Sequence, residues 1–246
     1  NSDKSFTWEK VTGVSKSGAS SAVIQNYNYA ANDQKDYLRL PEVNLANSDS
    51  AFITFHVAAS ATTALTTANN VWDTLEVLIS TDCGISYQSL YKKWGANLIT
   101  TAGVADKFFI PSVAEWRKDS INITSFISRG NVLIAFRNTN EYENNIYLDN
   151  VNVYTKVINP NLKAKGFLLT PVPVGNMVTV QFYPQPTNLR SLAIYTILGQ
   201  KLYEVNTSSG ASNFYQFDMS RNAAGVYIFR ATFTDRVITR KFVKGN

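Results

Sequence analysis

The chain has 246 residues, of which 45% are hydrophobic and 17% charged. This balance is typical of a folded globular protein and excludes an intrinsically disordered chain. Residues 1–157 carry 13 Lys and Arg against 15 Asp and Glu, whereas residues 167–246 carry 8 against 3. The cations of the second region are dispersed and accompany no nucleic-acid-binding motif, so we predict that nucleic acid is not a partner.

Two further classes are excluded by the composition. Cys83 is the only cysteine, so the chain is not a disulfide-stapled extracellular module. No run approaches the roughly 18 apolar residues that a membrane-spanning helix needs, so we predict no transmembrane segment. The 13 Tyr, 14 Phe and 4 Trp favour strands over helices.

The first 157 residues predict short strands separated by polar turns. Apolar and polar residues alternate in 51–58 and 74–80, and strand-like composition recurs in 86–92, 132–137 and 146–154. Only 112–116 indicates a helical turn. Many strands at regular spacing, with no strand–helix–strand rhythm, predict an antiparallel β-sandwich.

The sequence pattern is interrupted at residues 158–166, where Pro, Asn, Lys and Gly are poor strand formers. We predict a linker there. Seven strand candidates follow within about 80 residues, and they predict a compact seven-stranded Ig-like sandwich. The expected organisation is therefore all-β, with domains at 1–157 and 167–246 joined by the linker 158–166.

The second domain carries four short motifs in a fixed order. They are 169–173 with 177–180, 193–195 with 198–200, 225–228 and 241–244, and their defining residues are Pro171, Pro173, Gly199, Gly225, Tyr227, Lys241 and Lys244. Together they resemble the type IX secretion system C-terminal sorting domain of Bacteroidetes. One departure is Val172, which stands between the two prolines where that family usually has asparagine. The resemblance implies export by the type IX machinery, and a protein that is secreted or attached to the outer-membrane surface.

The first domain has its own family likeness. Residues 21–24, 36–41, 73–84 and 145–151 resemble the MAM-like, or cleaved-adhesin, jelly-roll modules of the same bacteria. The resemblance implies a jelly-roll β-sandwich, and such modules often hold structural calcium. It says little about the ligand.

The residues offer little for catalysis. His56 is the only histidine, and nothing near it resembles a nucleophile elbow. Cys83 lies in an Asp-Cys-Gly turn without a neighbouring cation to lower its pKa. One histidine and one cysteine do not make the usual zinc site. We therefore predict that this chain is not an enzyme.

Two aspartates are candidate calcium ligands. By strand alternation, Asp73 shares a face with Leu75 and Val77, and Asp149 shares one with Val151 and Val153. A carboxylate on an apolar face is costly unless a cation or several N–H donors satisfy it, and calcium accepts such oxygens. The alternatives are pairing with Arg39 or Arg137, or capping of turns.

The polar loop 138–145 is the expected recognition surface, because loops on rigid sandwiches commonly carry binding residues. Its candidates are Glu141, Tyr142 and Glu143. The four tryptophans, Trp8, Trp72, Trp94 and Trp116, are predicted to lie in cores, with stacking on sugar rings as the alternative.

The sequence thus predicts an adhesin-like surface or secreted binding module that carries its own export and anchoring signal, with a glycan or an extracellular protein as ligand. The alternative is an accessory region of an exported metallopeptidase whose catalytic domain lies outside this chain. A His-Glu-x-x-His helix upstream would favour that alternative.

Overall fold

The computed structural model describes residues 4–64, 72–171, 173–207 and 209–245. Its elements are almost all β-strands, and every pairing between named strands is antiparallel, so the predicted all-β sandwich class is confirmed. No helix in these ranges is long and apolar enough to cross a membrane. The chain divides into two compact units, Asn1–Val157 and Ile158–Asn246, which we describe separately.

The first unit contains two sheets. One has the strand order β1-β2-β10-β5-β8, and the other has the order β3-β9-β6-β7, with β4 pairing to β9. The strands are β1 (Glu9–Thr12), β2 (Ser20–Ile24), β3 (Gln34–Arg39), β4 (Val43–Asn44), β5 (Ser50–Ala59), β6 (Thr74–Ser80), β7 (Gln88–Trp94), β8 (Arg117–Asn122), β9 (Asn131–Asn140) and β10 (Ile146–Lys156). Helix α1 (Gly95–Leu98) and three 3₁₀ turns (Asn26–Asn28, Val113–Glu115 and Thr124–Arg129) complete it.

The core of this unit lies between the two sheets. Phe55 of β5 and Val77 of β6 are fully buried members of one apolar cluster, as their strand alternation predicts. The ring of Phe55 lies edge-on to the ring of Phe136, with centroids 5.0 Å apart. Burial of side chains of this size contributes roughly 1.5–3 kcal/mol each, so alternate residues of β5, β6 and β9 provide much of the stability.

The outer faces of the two sheets differ. On the first sheet, Val23 and Tyr147 form a second apolar cluster, which Phe109 and Trp116 cover from the segment between β7 and β8. On the second sheet, the outer face keeps large side chains exposed, among them Tyr37 and Trp94. The second face is therefore available to a ligand, whereas the first is covered where Val23 and Tyr147 lie and exposes Phe52 and Tyr154 elsewhere.

The second unit begins with helix α2 (Pro160–Lys165) and contains, in its described residues, seven strands. They are β11 (Phe167–Thr170), β12 (Met177–Phe182), β13 (Leu189–Thr196), β14 (Lys201–Asn206), β15 (Phe214–Asp218), β16 (Gly225–Phe233) and β17 (Val237–Lys244). They form one sheet in the order β11-β12-β15 and another in the order β14-β13-β16-β17. Their inward side chains make a single aromatic-rich core.

The stretch predicted to be a linker is not one, because residues 160–165 form α2 within the second unit. The Asn159 side chain accepts a hydrogen bond from the Asn161 N–H, and Pro160 occupies the first turn, where its missing N–H costs nothing. Gly166, at φ 74°, ends the helix in the left-handed conformation. The stretch lacks strand formers, as its composition indicates, but it contains the capping residues of a short helix.

Leu162 is the buried residue of α2, with 1% of its surface exposed. We expect Leu162→Ala to lower the free energy of unfolding of the second unit by about 2–4 kcal/mol, through lost burial and the cavity left behind. Leu198→Ala is the matched control, because that side chain is 93% exposed and its loss should change stability by less than about 0.5 kcal/mol. Denaturant titration of the full chain measures both. Equal stability of the two variants would contradict the assignment of α2 to the folded unit.

Candidate functional site

The outer face of the second sheet carries a row of polar and aromatic residues across four strands. Tyr37 of β3 lies opposite Arg137 of β9, Arg137 lies opposite Glu76 of β6, and Glu76 lies opposite Lys92 of β7. Directly opposed residues on one face have neighbouring side chains, so this register brings together four residues that are far apart in sequence.

Two parallel rows flank this one on the same face. They are Lys35, Thr139, Thr74 and Trp94 on one side, and Arg39, Ala135, Leu78 and Ser89 on the other. Trp94 is 45% exposed and Tyr37 is 37% exposed. We name this surface the cationic face and define it by Lys35, Tyr37, Arg39, Glu76, Lys92, Trp94 and Arg137.

The centre of the cationic face is held by a hydrogen-bonded cluster. Arg137 donates from Nε to Glu76 Oε2 at 2.8 Å and also from Nη2 to the same oxygen, while its Nη1 donates to the Tyr37 hydroxyl at 3.3 Å. Ser89 donates to Glu76 Oε1 at 3.1 Å. The carboxylate of Glu76 is thus fully engaged, which fixes the orientation of Arg137 on the sheet.

The remaining cations of this face are exposed. The guanidinium of Arg39 lies 5.7 Å from the centre of the Tyr37 ring, within the range of a cation–π contact. Within the described parts of the chain, neither Arg39 nor Lys92 forms an ion pair, whereas Lys35 contacts Asp33 at 3.1 Å on the surface. The face is therefore locally positive, although residues 1–157 as a whole carry more acidic than basic residues.

Asp73 is buried, as strand alternation predicts, just before β6. Its Oδ1 accepts a hydrogen bond from the Glu141 N–H at 2.6 Å, and Oδ2 has no hydrogen-bond partner of good geometry in the described structure. Burial raises the pKa of Asp73 to about 7, and the Glu141 N–H and the Asn26 side chain only partly offset that effect. Asp73 is therefore a carboxyl group that is only about half ionised near neutral pH.

Asp149 does not lie on the face predicted for it. A β-bulge between Asp149 and Asn152 places Asn150 at φ 50° and changes the alternation along β10. Asp149 consequently lies opposite His56, while Val153 lies opposite the core residue Ile53. Its carboxylate accepts hydrogen bonds from three backbone N–H groups, those of Lys16, Ser17 and Asn150.

The two aspartates therefore have different neighbours, and the structure does not bring them together into one calcium site. In the described ranges, no group of three or more His, Cys, Asp or Glu side chains is arranged to hold a metal ion. Asp149 already has three N–H donors, which was one of the alternatives to a cation. Calcium at Asp73 and at Asp149 stays a prediction.

The loop predicted to be an exposed recognition surface is largely buried. Strand β9 continues to Asn140, and Glu143 is buried, where its Oε2 accepts hydrogen bonds from the Thr62 N–H, the Thr62 hydroxyl and the Thr63 N–H at 2.7–2.8 Å. Tyr142 is exposed and Glu141 is partly exposed. Glu143 therefore anchors neighbouring loops, and the candidate binding residues of this loop reduce to Glu141 and Tyr142.

The side chains around His56 do not form a catalytic triad. Asp149 lies across from His56, but its oxygens are taken by backbone N–H groups, and Ser17 donates its hydroxyl proton to Asn150 rather than to the imidazole. Burial and the neighbouring Lys16 lower the pKa of His56. A general base would need its ring hydrogen-bonded to the nucleophile and oriented by the carboxylate, and neither contact exists here. Cys83 is exposed in its turn.

Asp149 also lines a concavity of about 410 Å³ beside Trp8. Its apolar walls include Leu38, Leu148 and Val151. The indole N–H of Trp8 donates to the backbone oxygen of Asp36 at 3.2 Å, which holds the ring at the side of the sandwich. Trp72 and Trp116 are buried as predicted, so Trp94 is the tryptophan that departs most from the core prediction.

The motif residues of the second unit divide into core and surface positions. Tyr227 stacks on Phe242 with ring centroids 5.7 Å apart and donates its hydroxyl proton to the Ala223 oxygen at 2.7 Å. Lys244 is buried, and the adjoining backbone of β17 pairs with Val174. Pro171, Pro173 and Lys241 are exposed, Gly199 makes a positive-φ turn and Gly225 begins β16; Val172 lies outside the described residues.

The second unit matches a known family. Residues 169–245 match the family described as "Secretion system C-terminal sorting domain". This part of the predicted resemblance is confirmed. Such a domain directs export through the type IX secretion machinery, so the protein is secreted or displayed at the cell surface. No curated protein sequence matches the chain.

Solved structures resemble the chain only remotely. The carbohydrate-binding module TmCBM61, solved in complex with β-1,4-galactotriose, is 12% identical; the match covers 57% of this chain and 73% of that one, with a TM-score of 0.34. A β-1,2-glucanase from Parabacteroides distasonis is 13% identical, with 97% of this chain covered but only 34% of the enzyme, and a TM-score of 0.35. At these TM-scores the likenesses do not inform function.

Proposed function

We propose that the first unit is a non-catalytic, adhesin-like binding module, and that the sorting domain delivers it to the cell surface or the medium. The cationic face carries this proposal. It is an ordered surface on a rigid sheet, with two exposed aromatic rings and several exposed cations.

The arrangement of the face supports binding better than packing. The Arg137–Glu76 cluster restricts side-chain motion before a ligand arrives, which lowers the entropic cost of association. Large exposed side chains on a sheet face stabilise the fold little, whereas Tyr, Trp and Arg are the residue types that dominate binding energy at interfaces. The resemblance of residues 1–157 to cleaved-adhesin modules agrees with this function.

Retention on immobilised extracellular polysaccharides and matrix proteins tests the proposal. We expect the full chain to be retained by at least one of these materials, and Tyr37→Ala/Trp94→Ala to reduce retention at least tenfold. Tyr154→Ala is the matched control, because this exposed tyrosine lies on the other sheet of the same unit. No retention by any material, or retention that the double substitution leaves unchanged, would contradict the assignment of binding to this face.

A further inference from the structure

We infer that the ligand of the cationic face is an acidic polysaccharide, one whose sugar rings carry carboxylate or sulfate groups. This inference rests on the proposed binding function and specifies its ligand class. The first argument is charge. The face holds Lys35, Arg39, Lys92 and Arg137. Glu76 is engaged by Arg137 and Ser89, and Lys35 contacts Asp33, which leaves Arg39 and Lys92 as exposed cations outside any described ion pair.

The spacing of the charges indicates a polymer rather than a small anion. Strands lie about 4.8 Å apart, so the row from Tyr37 on β3 to Lys92 on β7 spans about 14 Å. Along a strand, residues two apart are separated by about 7 Å, which places Lys35 and Arg39 on either side of Tyr37. Positive charge is thus repeated over a flat area instead of converging on one point, as it would in a phosphate or carboxylate pocket.

The aromatic residues favour sugar rings over an acidic protein segment. Tyr37 and Trp94 lie on the two outer strands of the sheet, so a chain laid across the strands would meet one ring near each end. An aromatic face presents an apolar, π-rich surface to the C–H groups of a sugar. The neighbouring guanidinium of Arg39 has the planar fork that binds carboxylate or sulfate oxygens in pairs.

The surrounding charge argues against nucleic acid. Residues 1–157 have an acidic excess of two, since they carry 13 Lys and Arg against 15 Asp and Glu. A duplex has one negative charge per about 1.7 Å, so it requires a basic surface much larger than this face. A polysaccharide with one charge per sugar or per disaccharide has a lower charge density and suits isolated cations. The sorting domain delivers the face to the cell surface or the medium, where it can meet an extracellular polymer.

Affinity measurements with heparin and polygalacturonic acid test the inference, with neutral dextran, polyglutamate and duplex DNA as comparison probes. We expect the full chain to bind at least one acidic polysaccharide, with affinity that falls as salt rises. Arg39→Ala/Lys92→Ala should weaken that binding at least tenfold, and Arg39→Lys, which keeps the charge but not the fork, should weaken it less. Lys118→Ala/Lys156→Ala also removes two positive charges, but at positions outside the cationic face, and should bind like the unaltered chain.

The outcomes separate this inference from the proposed function. Binding of dextran or a matrix protein through Tyr37 and Trp94, with no binding of either acidic polysaccharide, would overturn the ligand class and leave the binding function intact. Equal affinity for polyglutamate or DNA would overturn the preference for acidic sugars. Equal weakening by the Lys118 and Lys156 substitutions would show a non-specific charge effect and overturn the assignment to this face. No binding to any probe or material would contradict both the ligand class and the proposed binding function.

Discussion

Asp73→Asn is expected to stabilise the first unit at pH 8 by up to about 4 kcal/mol, an unusual direction for the replacement of a buried polar residue. Burial raises the pKa of Asp73 to about 7, roughly three units above that of an exposed aspartate. Each unit corresponds to about 1.4 kcal/mol. Asparagine has nearly the same shape, carries no charge and keeps an oxygen for the Glu141 N–H.

The sign of the pH dependence follows from proton binding. Between about pH 4 and pH 7 the folded protein holds a proton on Asp73 that the unfolded chain releases, so the stability due to this group falls as the pH rises. The stability contributed by Asp73 is highest at pH values below the pKa that this residue has in the unfolded chain. It is lost completely at pH values above the pKa in the folded protein. The asparagine side chain of the variant would not titrate, so the variant should have a flatter profile across this window.

Denaturant titrations of the full chain from pH 4 to pH 8.5 measure the effect. Asp106→Asn, an exposed aspartate, is the control and should follow the unaltered chain. Parallel profiles for the unaltered chain and Asp73→Asn would show that Asp73 is ionised in the folded state. Repeating the series with calcium and with a chelator tests the calcium prediction at Asp73, because a cation bound by Asp73 would stabilise only the chain that retains the aspartate.

Local patterns predicted most strands. The alternation of 74–80 corresponds to β6 at its observed ends, and the seven strand candidates of residues 167–246 correspond to β11–β17. Strand β8 was missed because its sequence, Arg-Lys-Asp-Ser-Ile-Asn, has almost no apolar alternation. It forms through tertiary contacts, among them those of Asp119, which accepts hydrogen bonds from Tyr91 at 2.6 Å and from Lys93 at 3.1 Å. Those partners are supplied by the fold and are not evident from the six residues themselves.

The candidate site was harder to predict than the strands. The cationic face depends on four strands pairing in one register, and the sequence separations of its neighbours reach 100 residues between Tyr37 and Arg137. The local sequences of β3 and β9 do not indicate which faces of the two strands meet. The β-bulge at Asp149 likewise changes which residues of β10 share a face. It depends on Asn150, which has a positive φ. Asparagine adopts this conformation more readily than most residues, but no pattern in the neighbouring sequence predicts it.

Phe242→Ala is expected to destabilise the sorting domain by about 3–5 kcal/mol and to abolish export. Phe242 is 3% exposed on β17, stacks on Tyr227 and packs into the single core of the second unit. Removing a buried phenylalanine ring loses its burial and leaves a cavity that a small domain closes incompletely. The hydroxyl of Tyr227, bonded to the Ala223 oxygen, would also lose the ring that holds it in place.

Comparison with Val243→Ala distinguishes an export signal that is read as a folded strand from one that is read as a linear sequence. Val243 adjoins Phe242 but is 48% exposed, and its contribution to the edge is a backbone oxygen that accepts a hydrogen bond from the Val174 N–H at 2.8 Å. The substitution keeps that oxygen and should change stability by less than about 0.5 kcal/mol. Both variants alter the terminal segment by one residue, yet only Phe242→Ala disturbs the sandwich.

Export of the full chain, preceded by a secretory leader in a bacterium with type IX secretion, is the measurement. If the machinery reads the folded terminal strand, Val243→Ala reaches the surface or medium and Phe242→Ala stays in the periplasm, with purified Phe242→Ala showing the lower unfolding free energy. Loss of export in both variants would indicate that the linear terminal sequence is read instead. Export of both would show that the β17 core is not required, and the signal would then lie in exposed residues such as Lys241, which neither substitution alters.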